Sequence, residues 1–356
     1  MISWGFMKQR LLELDGCRGL LCLTVVAGHW IGSRMGWGNV NFSHSYISVD
    51  GFFILSGIVL SYIYKEKLDI GRKEFIKYAI HRIERLYPLH LLTFLLTYLI
   101  YRIYFKELPF QEPVATAIYN MLLIHGLGFA SSWNWNDPSW SISVEFFTSV
   151  MLLPLLIRLK SRIKLISISL ISYIIVYARH HNLEAATDVH FMILSSGLLK
   201  CIAGMSLGVL ITNISKFTEK RDPPKILMTI MQTAAVGICS YFIYTKDDVH
   251  SYDGIVIMSF CYLFYTLINY SGFWSAIAAN QVLVYFGNIS FSIYLLHTPL
   301  MIAMDHIGFF NSSSRITQTY LFVSTLILIS SITYKYFELP IYKKSKTITD
   351  YKIDRL

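Results

Sequence analysis

Over 356 residues the chain is 54% apolar and only 15% charged, with a mean hydropathy of +0.49. A soluble protein of this length carries more charge, so a water-soluble globule is excluded and an all-α, polytopic transmembrane helical bundle is expected. The net charge of +9 falls between the apolar runs, so a membrane collar explains it and nucleic acid is not needed as a partner.

Apolar runs of about 17–22 residues recur along the chain, each long enough to cross a bilayer as a helix. In order, about ten spans are expected, at 13–32, 46–64, 86–104, 139–157, 165–180, 193–212, 226–245, 254–270, 281–303 and 317–337. Residues 114–130 form an ambiguous eleventh run of re-entrant or interfacial character, weakened by Gly126 and Gly128. No long polar linker appears, so residues 1–356 read as one integral domain with a short basic tail at 338–356. With both termini cytoplasmic, the inner segments hold 22 Lys and Arg and the outer loops hold 6, the asymmetry that the positive-inside rule requires. The first run contains Asp15 and Arg18 and no small-residue cleavage site, so it reads as a retained span and not a signal peptide. Cys17, Cys22, Cys201, Cys239 and Cys261 all fall inside spans, which implies neither a disulfide framework nor a metal site.

Ionisable groups inside a bilayer are costly, so each is a functional candidate. Span one, LDGCRGLLCLTVVAGHW, carries Asp15, Arg18 and His29. Eleven residues at about 100° each amount to three turns plus about 20°, so Arg18 and His29 share one helix face roughly 16 Å apart. Asp15 and Cys22 lie on that same stripe. This polar seam must face protein or a water-filled cavity.

Span two begins VDGFFILSG, which places Asp50 at the outer rim with Ser56 below it. Before span three, HRIERLYPLH sets Arg82 and Arg85 three residues apart on one face. Guanidinium groups so placed suit a bidentate grip on phosphate. Tyr87 and Pro88 mark the turn into the membrane. In span four, WSISVEFF brings Trp140, Ser141 and, about two turns from the outer end, Glu145. In span nine, FGNISFSIYLLH puts His297 toward the outer end. FELP places Glu338 at the inner end of span ten, within reach of the arginine pair. His29, Glu145 and His297 thus gather in the outer half, with a phosphate-suited pair at the inner face. A long ligand with an anionic head and a reactive tip fits this pattern.

Plainer readings exist for each residue taken alone. His29 suits an interfacial histidine, His297 a satisfied core histidine, and Arg82 with Arg85 headgroup anchors. Asp15 suits a helix cap, Ser56 and Gly57 close packing, and Trp133, Trp135 and Trp140 an aromatic belt. The joint arrangement is what favours function.

In this order and spacing the blocks LDGCRG…GH, VDGFFILSG, RIERLYP, WSISVEFF, FGNISFSIYLLH and YFELP resemble the acyltransferase-3 family of membrane-bound acyltransferases, from about residue 11 to 343. The resemblance implies transfer of an acyl group, often acetyl, from acyl-CoA to a hydroxyl of an extracytoplasmic carbohydrate. The family's RxxR motif corresponds to Arg82 and Arg85, its R-x10-H motif to Arg18 and His29, and its WSLSVE-type motif brings Glu145. Cys17, Thr148, Phe291 and Leu339 depart from the usual residues, none at a position assigned to chemistry. On this basis Arg82 and Arg85 hold the CoA phosphates and the pantetheine arm passes Arg18. His29 acts as general base, with Glu145 orienting its ring. An acyl-imidazole intermediate on His29 is the alternative. Acyl-CoA, expected to be acetyl-CoA, is a co-substrate, and no tightly bound cofactor is expected. The expected partners are the lipid bilayer of the inner membrane, acyl-CoA and the carbohydrate acceptor, with a homodimer left open. Two other readings remain: O-acylation of a small molecule or lipid, and a proton-coupled transporter or flippase.

Overall fold

The computed structural model describes residues 10–35, 42–66, 71–104, 108, 112–129, 135–184, 189–191, 194–215, 224–245, 252–307 and 314–354. Each apolar run becomes a helix, because a helix satisfies its own backbone groups where water is absent. The first four are α1 (Leu12–Met35), α2 (Ile47–Tyr64), α3 (Arg72–Tyr104) and α4 (Pro113–Met121). Next, α5 (Ser139–Phe147) passes through a π-helical turn, Thr148–Leu152, into α6 (Leu153–Arg158). There follow α7 (Arg162–His180), α8 (Ser196–Ile214), α9 (Lys225–Tyr244), α10 (Asp253–Asn269), α11 (Phe273–Ala278) and α12 (Gln281–His306). Finally α13 (Arg315–Thr333) passes through a second π-helical turn, Tyr334–Glu338, into α14 (Leu339–Asp354). A short antiparallel pair, β1 (Val189–Phe191) with β2 (Leu194–Ser195), is a small addition to the all-α expectation.

Among the described residues, eight helical stretches are long and apolar enough to cross a membrane. The polar seam keeps α1 out of that set, and α10, at 17 residues, is a shorter apolar helix. The ambiguous run at 114–130 contributes the 9-residue helix α4, about 14 Å of rise against a hydrocarbon core of about 30 Å. One expectation is corrected. Tyr87 and Pro88 do not mark a turn, since α3 continues through both. The stretch after Glu338, expected as a short basic tail, forms the helix α14, which folds onto α3. Lys77 and His81 each lie 3.1 Å from Asp350, and Thr349 donates to Glu84.

α1 packs along α12 and α2, α2 along α8, and α7 along α8. Small residues allow the closest crossings. A β-carbon at Gly287 would strike the Asp15 carbonyl, and one at Gly208 would strike that of Ile54. The outer helices turn apolar side chains away from the protein, among them Leu170, Ile171 and Ile174 of α7, Ile226 and Ile230 of α9, and Ile316 and Leu328 of α13. Polar groups face inward, as expected of a bundle whose solvent is lipid.

Candidate functional site

A cavity of about 260 Å³ opens between α1, α2, α3, α5, α12 and α14. Its charged lining consists of Arg18, Arg82, Arg85 and Glu145, with His81 beside them, so cationic groups outnumber anionic ones.

Arg82 and Arg85 each bond a residue of one of the two π-helical turns. Arg82, buried, donates through Nη2 to Glu145 Oε1 at 2.8 Å and through Nε to Ser149 Oγ at 3.2 Å. Ser149 lies in the first π turn, and Ser56 of α2 donates to the same Glu145 oxygen at 3.0 Å. Arg85 pairs with Glu338 of the second π turn, which also accepts from Ser292 Oγ at 2.7 Å. The rings of Phe291 and Tyr342 lie 5.4 and 5.9 Å from the Arg85 guanidinium. Arg18 donates to Asp15 at 3.2 Å, and Arg10 donates to the other oxygen of Asp15 at 2.6 Å. Asp15 therefore works as an ion-pair partner inside the first turns of α1. Each lining guanidinium thus has a carboxylate partner, and Arg10 adds a fourth positive charge beside Asp15.

Glu145, expected to orient His29, bonds Arg82 and Ser56. The ring beside His29 is His297. His29 Nδ1 and His297 Nε2 are 3.0 Å apart, with ring centroids at 5.0 Å. His297 Nδ1 lies 2.6 Å from the Tyr294 carbonyl. A carbonyl only accepts, so the neutral His297 carries its proton on Nδ1 and presents a lone pair at Nε2. His29 then donates from Nδ1, which leaves the lone pair of a neutral His29 on Nε2.

The cavity lining includes neither His29 nor His297. It stops at Val49, Ser141 and Tyr294, and His297 sits one helical turn beyond Tyr294. The Tyr294 hydroxyl bonds Ser141 Oγ at 2.8 Å, and its ring lies 5.9 Å from that of His297. Ser141 already donates to the Pro138 carbonyl at 3.0 Å, so the phenol is the donor in the Tyr294–Ser141 bond. Tyr294 thus separates the arginine cavity from the imidazole pair, where the sequence suggested an uninterrupted seam.

Other expected residues fall elsewhere. Asp50, in the first turn of α2, is fully buried, 3.2 Å from Lys200 Nζ and 3.2 Å from the Tyr173 hydroxyl. Lys200 also donates to the Leu183 carbonyl and lies 5.9 Å from the Trp140 ring. Trp140 and Trp135 are core residues and not an aromatic belt, whereas Trp133 lies outside the described residues. Trp135 donates to Thr116 Oγ1 at 3.2 Å. The Tyr87 hydroxyl donates to the Met121 carbonyl and so anchors α4. Asp137, in the turn before α5, is lifted by burial to about 7. Lys200 had a readable signal, being a lone lysine inside an apolar run. Tyr294 and Ser292 sat unmarked inside a recognised block, and nothing in the sequence pointed to Tyr342.

Comparison with known proteins gives this geometry a context. A family model described as an acyltransferase domain matches residues 11–335. A Staphylococcus aureus (strain COL) protein provisionally named an O-acetyltransferase is 22% identical over 379 aligned residues, covering 96% of this chain and 59% of the relative. The O-acetyltransferase OatA of S. aureus (strain NCTC 8325 / PS 47) is 24% identical over 380, covering 95% and 58%. Protein 2 in the picA locus of Rhizobium radiobacter is 39% identical over 85 residues, 24% of this chain and 42% of that protein. The chain therefore spans less than two thirds of each of these relatives. No solved structure matches it. With the family model covering most of its length, the chain belongs to the acyltransferase-3 family.

Proposed function

We propose that the protein is an integral-membrane O-acetyltransferase of the cell membrane, with both termini cytoplasmic. It moves an acetyl group from cytoplasmic acetyl-CoA to a hydroxyl of an extracytoplasmic carbohydrate. The observation that carries this reading is that Arg18, Arg82 and Arg85 converge on one cavity that ends one helical turn from the His29–His297 pair. The relatives' names, which give O-acetyltransferase, and the count of positive residues support it.

In this reading the arginines take the phosphates of the donor, and the thioester arm follows the cavity toward Tyr294. The Tyr294 ring swings aside to admit the thioester to His29. His29 Nε2 removes the proton of the acceptor hydroxyl, and the oxygen attacks the thioester carbonyl. His297 accepts the hydrogen bond from His29 Nδ1 and holds the reactive tautomer. As the C–S bond breaks, the thiolate takes the proton from His29, releasing CoA as the free thiol and the acceptor as its ester. The assignment of the orienting role to His297 replaces that of Glu145.

The test is CoA release by purified protein in detergent. Free thiol is followed with acetyl-CoA in the presence and absence of oligosaccharide acceptors, and the acceptor is examined by mass spectrometry for an added acetyl group. Thiol release together with an acetylated acceptor is expected. A protein that consumes no thioester in detergent, yet moves solute in closed vesicles, would replace this reading with the transporter.

A further inference from the structure

Tyr342 lies beyond residue 335, where the match to the acyltransferase domain stops, yet it lines the same cavity as Arg82 and Arg85. It stands in the first turn of α14, which an ion pair from Asp350 to Lys77, with His81 also 3.1 Å from Asp350, fastens to α3. Its ring is half-buried, with Arg85 at 5.9 Å on the cavity side and Lys346 at 5.9 Å. Tyr64, at the end of α2, lines the same cavity, with its ring edge-on to that of Tyr78 at 4.7 Å. Aromatic rings thus flank a pair of guanidinium groups at one end of the cavity.

Guanidinium pairs hold phosphates, and aromatic faces hold planar bases by stacking. The two together suit a nucleotide, not a bare phosphate or a lipid headgroup, since neither of those carries a planar ring. We infer that Tyr342, with Tyr64 of the same cavity, is the stacking subsite for the purine base of the donor, and that α14 is a working wall of the donor site. This rests on the acyl-CoA reading above and extends it to a part of the chain outside the family match. The nucleotide end of the donor meets the rings, the pyrophosphate meets Arg82 and Arg85, and the thioester arm runs toward Tyr294.

The test compares two donors, acetyl-CoA and acetyl-phosphopantetheine, which lacks the adenosine. Tyr342→Ala is expected to raise the KM for acetyl-CoA about tenfold, the scale of one lost base stack. It should leave kcat, and the KM for acetyl-phosphopantetheine, unchanged. Tyr342→Phe keeps the ring and is expected to match the parent with both donors. Direct binding of adenosine 3′,5′-bisphosphate to the purified protein should weaken in parallel in Tyr342→Ala and survive in Tyr342→Phe. An equal rise in KM for both donors would show that Tyr342 acts only through Arg85 or the cavity wall, and would overturn the subsite. So would an unchanged KM for acetyl-CoA. If the parent consumes neither donor, the donor reading itself fails, an outcome distinct from either of these.

Discussion

The imidazoles of His29 and His297 are joined through a 3.0 Å contact between Nδ1 and Nε2, and the far nitrogen of His297 is bound to the Tyr294 carbonyl. A main-chain acceptor on α12 therefore fixes the proton positions of a ring on α1. The relay runs from a group that only accepts to a nitrogen able to receive a proton, which is the arrangement a general base needs.

Replacing His29 by Ala should lower kcat for acetyl transfer by about 10²–10⁴-fold, the usual worth of general acid–base catalysis. His297→Phe removes the acceptor for His29 Nδ1 and should lower kcat by about 10²-fold through misplacement of the ring. His297→Asn retains an acceptor oxygen and should recover much of that loss. Steady-state kinetics on protein shown to be inserted and folded decides the matter. A His297→Phe variant with unchanged kcat would end the positioning role.

Glu145→Gln should behave differently from the histidine variants. Its carboxylate holds Arg82 at 2.8 Å, so its loss frees a guanidinium lining the cavity proposed for the donor. The expected change is in the KM for donor, with kcat within a few-fold of the parent. Replacing Arg82 and Arg85 together by Gln should raise the donor KM further. A fall in kcat from Glu145→Gln as large as that from His297→Phe would return Glu145 to the imidazole.

Lys200 and Asp50 form a buried pair at 3.2 Å that ties α8 to α2. Removing one member leaves a buried charge without its partner, which costs about 3–5 kcal/mol. Lys200→Met and Asp50→Asn should each lower the apparent Tm in detergent. The double variant should lose less than the sum of the two, because neither charge is then left alone. Additive losses would show that the pair contributes nothing as a pair.

Asp137 is held near 7 by burial, so its contribution to stability depends on pH. Below about pH 4 the carboxyl is protonated in both folded and unfolded chains and contributes nothing. As pH rises toward 7 the unfolded chain ionises first, and the folded state loses stability relative to it. Above about 7 the loss is constant. Asp137→Asn cannot ionise, so its advantage in apparent Tm over the parent should widen between pH 5 and 7 and then level off. Thermal scans of both proteins across that range measure it. A constant difference would mean that the carboxyl titrates normally.

The sequence by itself determined the class, the helices and the inventory of polar groups. Apolar run length fixes where helices form, since a helix is the local solution to backbone hydrogen bonding in lipid. The cost of intramembrane charge made Arg18, His29, Glu145 and His297 visible as candidates without any structure. Arg82 and Arg85 showed themselves by spacing alone, because positions three apart share a helix face.

Pairing between helices was decided only by the tertiary structure. Counting along the spans puts Glu145 and His29 at similar depths, but depth says nothing of rotation or of which neighbour a helix meets. The crossing of α1 on α12 at Gly287 brings His29 to His297, and the packing of α3 against α5 and its π turn gives Glu145 to Arg82. The Tyr294 ring lies between the cavity and His297, and no periodicity encodes its position. The return of α14 onto α3 rests on contacts between residues more than 260 positions apart, and such long-range contacts leave no local trace in the order of amino acids.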